Sequence, residues 1–414
     1  MCKQDETEFD VNGTEFDENG SNDYRKAIDL LQDLVKIPSP YFEEDEIVEY
    51  VYRWLDERGL DPEYMEVTEK KITGYEGRNV LARSKGYNPE APTLMLNAHM
   101  DTVKIVDDWS EDPFSARIED GVMYGQGTCD MKGGLAAIMT AFEELAEKDL
   151  AGDVLLAAVV DEEGPYGLGA NQLIRDGITE DVDACVVTEP GPVLAQRDIE
   201  NPSLILGARG RFLYEIDVYG EAAHGSQPGN GVNAVVEAGK IAHALNKMDL
   251  GTHPELGDGS ICPLYVEGGS ETLSVPEHCR LLADRHVVLG EDPETVLKDA
   301  EEVIEDLELE SRVEVGFREA PETDIHYGPY VTDPDHDIVD ALKQGWCNVS
   351  GKEPNVGYFS SIGDFNYFGH RAETPTVILG PDGENIHSSG EYVKIKDVID
   401  VTEVIVDAGE EYLS

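Results

Sequence analysis

The spacing of apolar residues along the chain changes from one stretch to the next, and each spacing predicts a different element. From Tyr24 onward apolar residues recur at helical intervals, and two amphipathic helices are predicted before residue 60. Short continuous apolar runs further on predict buried strands, and a helix of small residues lies between the first two runs. The strands are predicted at Thr93–Ala98, Val154–Val160 and Ala184–Thr188. Strands that alternate with helices predict an α/β sheet.

The pattern changes near Gly207 and returns to its earlier form after Tyr330. Between these points the order of predicted elements is β-α-β-β-α-β, which is typical of a ferredoxin-like unit. We therefore expect residues 206–318 to form an α+β domain inserted into a larger α/β domain, made of residues 23–205 and 319–414. Residues 1–22 are polar and acidic, and they predict a disordered tail.

Charge excludes several classes of partner. The 414 residues include 87 acidic and 31 basic side chains, a formal net charge of −56. Nucleic acid and anionic membranes need clustered Lys and Arg, so neither is expected as a partner. An acidic disordered chain would lack the apolar periodic segments found here, whereas a folded protein with an acidic surface suits molar salt, in which self-repulsion is screened. The composition therefore favours a halophile.

Cysteine usage and the absence of long apolar stretches favour the cytoplasm. The six cysteines form no CxxC pair and no regular framework, which predicts free thiols in a reducing compartment. No run of 18 apolar residues predicts a membrane span. The acidic N-terminal stretch lacks the apolar core of a signal peptide.

Candidate chemistry begins directly after the first buried strand, with His99 and Asp101. His99 could bind a metal, and Asp101 could accept the second imidazole N–H and fix the tautomer. A His-x-Asp sequence on its own is more often structural. Asp130 lies in a glycine-rich turn before the small-residue helix, where it could cap that helix or bridge two metals. A phosphate loop is disfavoured, because the turn has an acid in place of Gly-Lys-Ser/Thr.

Further acids follow the next two strands. Glu162 and Glu163 lie in an acidic triplet that would repel itself without a cation, although a solvated acidic run is the alternative. Glu189 follows the third strand, and His387 follows a later one. Mixed histidine and carboxylate ligands favour zinc, with cobalt or manganese as alternatives. We expect two divalent ions bound by five strand-end side chains, with Glu162 left free as a general base. The five ligands are His99, Asp130, Glu163, Glu189 and His387.

Taken together, these motifs resemble the co-catalytic zinc family that includes acetylornithine deacetylase, succinyl-diaminopimelate desuccinylase, aminoacylase and glutamate carboxypeptidase. The resemblance runs from about residue 24 to the C-terminus. It implies a zinc-peptidase-like catalytic domain whose inserted domain serves for dimerisation and as a lid. It also implies that His224, in Ala-His-Gly-Ser, donates to the oxyanion of the reaction, in cis or across a homodimer. Ser274 stands where the family often has a substrate-binding Asn, and Arg285 resembles the arginine that binds a substrate carboxylate.

Three functions remain open at this point. The first is hydrolysis of an N-acyl amino acid, as in the deacylases of amino-acid biosynthesis. The second is hydrolysis of a dipeptide, or of a peptide at its carboxyl end, by the same chemistry. The third is metal binding without catalysis, which the free base Glu162 disfavours because binding alone needs no base.

Overall fold

A computed structural model of the chain describes residues 25–84, 88, 91–106, 109–196, 199–269, 273–321 and 327–414. The predicted tail, residues 1–22, lies outside the described residues. The described chain divides into two compact units. The first consists of the described residues up to Gly207 together with Val331–Phe359 and Gly363–Ser414, and the second of Ala208–Tyr330 with Ser360–Ile362.

The strands are numbered in chain order. They are β1 Glu63–Thr68, β2 Glu76–Arg83, β3 Thr93–His99, β4 Arg117–Glu119, β5 Val122–Tyr124, β6 Asp153–Val159, β7 Ala184–Val187, β8 Ser203–Ala208, β9 Gly210–Tyr219, β10 Thr252–His253, β11 Gly257–Asp258, β12 Ser260–Gly268, β13 His278–Val287, β14 Arg312–Phe317, β15 Tyr330–Val331, β16 Asn355–Phe359, β17 Thr376–Ile378, β18 Gly383–Glu384 and β19 Tyr392–Lys394.

The helices are numbered in the same way. They are α1 Arg25–Val35, α2 Asp45–Asp56, α3 Gly133–Ala146, α4 Leu168–Arg175, α5 Gly191–Leu194, α6 Ala234–Leu245, α7 Pro293–Glu305, α8 Asp337–Ser350, α9 Asp364–Asn366 and α10 Ile395–Tyr412. Each helix and strand predicted from the apolar pattern has a counterpart here whose ends lie within a few residues of the prediction.

The first unit is built on a mixed sheet of nine strands with the order β1-β2-β6-β3-β7-β17-β8-β15, in which β16 also pairs with β8. The four central strands β6, β3, β7 and β17 are parallel to one another. Every residue of β3 and β6 is buried, as expected for strands covered on both faces. Because parallel strands end at the same edge of a sheet, the residues that follow β3, β6 and β7 are brought together there.

Helix α3 is apolar nearly all round because it is enclosed on several sides. It packs on β3 and β6, and it also contacts α1 and α10. A helix that is buried in this way cannot keep a polar face, which explains its run of small and apolar side chains. A separate four-stranded sheet, with the order β18-β19-β5-β4, contributes the two loops that reach the candidate site described below.

The second unit is a four-stranded antiparallel sheet with the order β12-β13-β9-β14. Alternate residues of β9 are buried against α6 and α7, and this face forms the core of the unit. Asn233 and Asp292 accept backbone N–H groups at the first turns of these helices and so define where each begins. The predicted class, an α/β protein with an inserted ferredoxin-like α+β unit, is therefore confirmed.

Two sequence expectations concern the environment of the protein. Cys129, Cys185, Cys262 and Cys279 are free, whereas Cys347 is disulfide-bonded, so the prediction that all the cysteines are free thiols is wrong at Cys347. Among the described residues, no helix is long and apolar enough to cross a membrane.

Candidate metal centre

Three parallel strands deliver side chains to one point at the carboxyl edge of the main sheet. His99 is the last residue of β3, Glu162 follows β6, and Glu189 follows β7. Nε2 of His99 lies 3.5 Å from Oε1 of Glu189 and 3.8 Å from Oε2 of Glu162. The strand register thus produces the convergence that the sequence predicts.

Asp130 and His387 reach the same point from loops rather than from strand ends, which corrects the sequence-based expectation for these two residues. Asp130 lies in a short π-helical turn, Thr128–Lys132, before α3. His387 lies between β18 and β19 with a φ of 57°. Oδ1 of Asp130 is 3.2 Å from Nε2 of His99, and Oδ2 is 3.2 Å from Nε2 of His387. Nε2 of His387 is also 3.0 Å from Oε1 of Glu163.

The side chains form two overlapping groups with metal-ligand spacing. Within each group, one possible ligand atom from each residue lies within 4.8 Å of the others. One group is His99, Glu162 and Glu189, and the other is His99, Asp130 and Glu163. Glu162, which the sequence predicts to be free, therefore lies within reach of the same centre as the predicted ligands.

The electrostatics of the centre are those of a cation site. Burial and neighbouring carboxylates raise the pKa of Glu162 and of Glu189 well above the usual range. Burial alone would lower the pKa of His99, but Asp130 and Glu189 raise it well above its usual value. Hydrogen bonds to Asp130 and Glu163 raise the pKa of His387 to about 11. Several carboxylates buried this closely are costly without positive charge between them, so the donor set fits divalent metal ions.

Asp101 has a different set of contacts from the one expected. Its carboxylate accepts the backbone N–H groups of Glu162 at 3.2 Å and Glu163 at 2.9 Å. Nδ1 of His99 lies 3.0 Å from the backbone carbonyl oxygen of Asp101 and 3.6 Å from the carboxylate. The carbonyl oxygen therefore orients the imidazole, while the carboxylate holds the backbone of the acidic triplet.

Glu391 is a residue of the centre that the sequence reasoning missed. It is 1% exposed, and it accepts the backbone N–H groups of Gly127, Cys129 and Asp130. Burial raises its pKa to about 8, while these three donors act in the opposite direction. A glutamate shortly after the predicted ligand His387 was the available signal, but Glu391 lies in a chain so rich in acids that no single one stands out.

In the second unit, His224 and Ser274 are brought together. They form an isolated antiparallel bridge flanked by two backbone hydrogen bonds of 2.8 Å, and directly opposed residues in such a pair project to the same side. The backbone N–H of Ser226 donates to Nδ1 of His224 at 3.1 Å. Nδ1 is therefore the acceptor of this bond, which leaves the ring proton on Nε2. Ser274 also lines a cavity of about 560 Å³ in this unit.

Arg285 is buried and already paired, contrary to its predicted exposure to a substrate. It is 1% exposed, and its guanidinium pairs with Glu291 and, at 2.9 Å, with Asp299. The Arg285 side chain lies on the covered face of β13, where it also approaches the hydroxyl of Tyr214. These contacts argue against the prediction that Arg285 binds a substrate carboxylate, since two acidic side chains of the second unit already neutralise the guanidinium.

Comparison with known proteins agrees with the fold. The chain is 26% identical over 346 residues to the succinyl-diaminopimelate desuccinylase of Sulfurovum sp. (strain NBC37-1), which covers 82% of this chain and 89% of the relative. Its fold resembles that of aminopeptidase PepT from Bacillus cereus ATCC 10987, with a TM-score of 0.74 and 22% identity over 94% of this chain and 99% of the other. It also resembles the YXEP protein of Bacillus subtilis, described as a dinuclear metal binding peptidase, with a TM-score of 0.68 and 16% identity over 94% and 98% of the two chains.

Histidine and carboxylate side chains gathered at the carboxyl edge of a parallel sheet are typical of a metal-dependent hydrolase. The model of Peptidase family M20/M25/M40 matches residues 95–411, and the chain therefore belongs to that family. It is a hydrolase that acts on amide bonds, and the resemblance inferred from its motifs is confirmed at the level of the family.

Proposed function

We propose that this protein hydrolyses the amide bond of an N-acyl amino acid at a dinuclear metal centre. The observation that carries the proposal is the position of Asp130, whose two carboxylate oxygens face two different histidines at 3.2 Å each. In this proposal His99 and Glu189 bind one ion, His387 and Glu163 bind the other, and Asp130 bridges both. The mixed nitrogen and oxygen donors favour zinc, and cobalt or manganese would also suit them.

Two divalent ions held at such a centre would supply Lewis acidity, which would polarise the amide carbonyl and lower the pKa of water. We assign the proton transfers to Glu162. Its carboxylate takes a proton from the attacking water and later gives it to the leaving amine nitrogen. Oε2 of Glu162 lies 3.8 Å from Nε2 of His99, so this carboxylate is close enough to the proposed ions to serve as their general base. Asp101 supports the assignment, because its carboxylate fixes the Glu162 backbone.

We assign His224 the role of donor to the developing oxyanion. The hydrogen bond from Ser226 leaves the ring proton on Nε2, which is the form that an oxyanion donor requires. Ser274, directly opposite His224 in the bridge, is proposed to contact the substrate. The contacts of Arg285 give it no such role.

We also propose a homodimer formed through residues 206–318. Strand β12 is at the edge of the second unit's sheet, and Leu264, Tyr265 and Val266 on it are each more than 40% exposed. An exposed apolar edge strand favours pairing with another chain. A second copy is the natural partner, because the proposed dimerisation unit carries this edge. The acidic composition likewise supports the proposal that the protein works in a halophile's cytoplasm.

The similarity to a desuccinylase over most of both chains favours acylated amino acids as substrates. The fold of an aminopeptidase makes peptides the second candidate class. A panel of acetyl and succinyl amino acids, dipeptides and tripeptides decides between them, with zinc- or cobalt-loaded enzyme in molar KCl. We expect the highest kcat/KM on an acyl amino acid. Turnover of peptides alone would overturn the deacylase assignment, and no turnover of any amide by metal-loaded enzyme would overturn the proposed function.

A further inference from the structure

Glu391 ties two distant parts of the chain together at the candidate metal centre. Its Oε2 accepts the N–H of Gly127 at 2.8 Å, and its Oε1 accepts those of Cys129 at 2.9 Å and Asp130 at 3.1 Å. The backbone carbonyl of Glu391 also accepts the N–H of Gly125 at 3.0 Å. One residue thus receives four backbone donors from a single turn.

The turn that Glu391 holds has a backbone that ordinary helix geometry would not produce. Gly127 has a φ of 72°, and Asp130 has a φ of −118° and a ψ of 93° between two helical stretches. In this conformation the N–H groups of Gly127, Cys129 and Asp130 point to one carboxylate and form an anion-binding nest. The direction of the Asp130 side chain depends on this backbone.

A lysine fixes the other end of the same turn. Lys132 is fully buried, and its Nζ donates to the backbone carbonyl oxygens of Leu34 at 3.2 Å and Ile37 at 2.7 Å, at the C-terminal end of α1. Of the two anchors, only Glu391 bonds to the N–H of Asp130 itself. The position of the Asp130 carboxylate is therefore most sensitive to Glu391.

We propose that Glu391 is a positioning residue that sets the metal affinity of the centre by holding Asp130 between His99 and His387. The inference rests on the proposed function, because it takes Asp130 as the bridging ligand. Glu391 itself contacts neither metal nor substrate in this scheme. Partners that orient a metal ligand typically change metal affinity by about 10–100-fold when they are removed.

The test compares two glutamates that make the same kind of contact. Glu69 is also buried, and its carboxylate accepts the backbone N–H groups of Lys71, Ile72 and Thr73, but its loop carries no proposed ligand. Glu391→Gln and Glu69→Gln each replace a carboxylate in a backbone nest by an amide of the same size. Zinc affinity and stoichiometry are measured by chelator competition in molar KCl, alongside the free energy of unfolding of each apo protein.

We expect both variants to lose stability, and only Glu391→Gln to bind zinc more weakly, by about 10–100-fold. Equal zinc affinity in Glu391→Gln and wild type would overturn the inference while leaving the proposed function intact. A wild type that binds no zinc would instead overturn the proposed function. If Glu391→Gln does not fold, Glu391→Asp keeps a carboxyl group and shortens its reach, so weaker zinc binding is again expected. Failure of both variants to fold would also overturn the inference, because Glu391 would then be required for the fold rather than for the centre.

Discussion

Asp130 lies between two histidines that come from different sheets: its Oδ2 is 3.2 Å from Nε2 of His387, and its Oδ1 is 3.2 Å from Nε2 of His99. A carboxylate that divides its oxygens in this way is arranged to serve two cations at once. Neither histidine needs to move for both to share it.

Replacement of Asp130 by Asn is expected to lower the zinc content from two ions per chain to one or none. The amide keeps the shape of the side chain but offers only one oxygen for a pair of ions. Asp153→Asn is a matched control, because Asp153 is also buried but lies at the start of β6, at the opposite edge of the sheet. Metal analysis after zinc reconstitution gives the number of ions per chain. Two tightly bound ions in Asp130→Asn would contradict a bridging role.

Glu162 and Glu163 are neighbours in sequence with different proposed roles, so they form a natural pair of variants. Glu162→Gln is expected to keep both zinc ions and lose about 10²–10⁴-fold in kcat, which is the usual contribution of a general base. Glu163→Gln is expected to lose zinc from the centre, because its Oε1 lies 3.0 Å from Nε2 of His387. Loss of metal from Glu162→Gln would identify Glu162 as a ligand, as its spacing from His99 and Glu189 also permits.

Much of the centre can be predicted from two local patterns: apolar runs that end in a charged residue, and short motifs around single ligands. Continuous apolar runs identify buried strands, and a charged residue at the end of such a run must lie at the sheet edge. His99 and Glu189 are positions of this kind. Asp130 and His387 were predicted as part of the same set through their motifs, although they arrive from loops of the smaller sheet. Loop conformation depends on tertiary contacts that the sequence pattern does not contain.

The same limit explains the residues that the sequence misjudged. Alternation along β13 places Arg285 and its two sequence neighbours on opposite faces of the sheet. It does not show which of these faces α6 and α7 will cover. Arg285 lies on the covered face, where Glu291 and Asp299 neutralise it. The role of Glu391 depends on hydrogen bonds to a turn more than 260 positions earlier in the chain, and no local pattern predicts them.

Stability is expected to depend strongly on salt. The net charge of −56 gives repulsion that reaches over a Debye length of about 30 Å at 0.01 M salt and only about 3 Å at 1 M. The melting temperature should therefore rise by at least several degrees between 0.01 M and 1 M KCl, and further screening should add progressively less. Thermal melts that are the same at both concentrations would contradict this expectation.

The contribution of Glu69 to the free energy of unfolding should depend on pH, in a direction that follows from its hydrogen bonds. Burial alone would raise its pKa, but donors from Thr73, Ile72 and Lys71 lower it from 4.5 to about 2. A depressed folded pKa stabilises the protein fully above the ordinary pKa, and the effect is lost as the pH falls toward 2. The difference in the free energy of unfolding between wild type and Glu69→Gln should therefore shrink from pH 5 downward. Denaturant melts in molar KCl measure this difference in the free energy of unfolding. If the difference does not change with pH, the lowered pKa of Glu69 does not stabilise the fold.

The last prediction concerns which subunit supplies His224. If the proposed homodimer forms and His224 acts across it, subunits carrying His224→Ala should complement subunits carrying Glu162→Gln. Each variant alone lacks one essential group at both of its sites. In a hybrid dimer one site has both lesions, while the other combines an intact Glu162 with an intact His224 from the partner. Random exchange makes half of the dimers hybrids, so about a quarter of wild-type activity should return for a two-fold symmetric dimer.

A second mixture serves as the control for that experiment. Glu162→Gln combined with His387→Ala places both lesions at the metal centre, so every site keeps one of them whichever subunit supplies His224. This mixture should remain inactive under the conditions that restore the first. Subunit exchange is followed with two differently labelled chains, which also tests whether a dimer exists. If exchange occurs and the His224→Ala mixture stays inactive, His224 acts within its own subunit or takes no part in the reaction. The activity of the His224→Ala variant alone separates these two cases. A loss of about 10²–10³ in kcat is expected if an oxyanion donor has been removed.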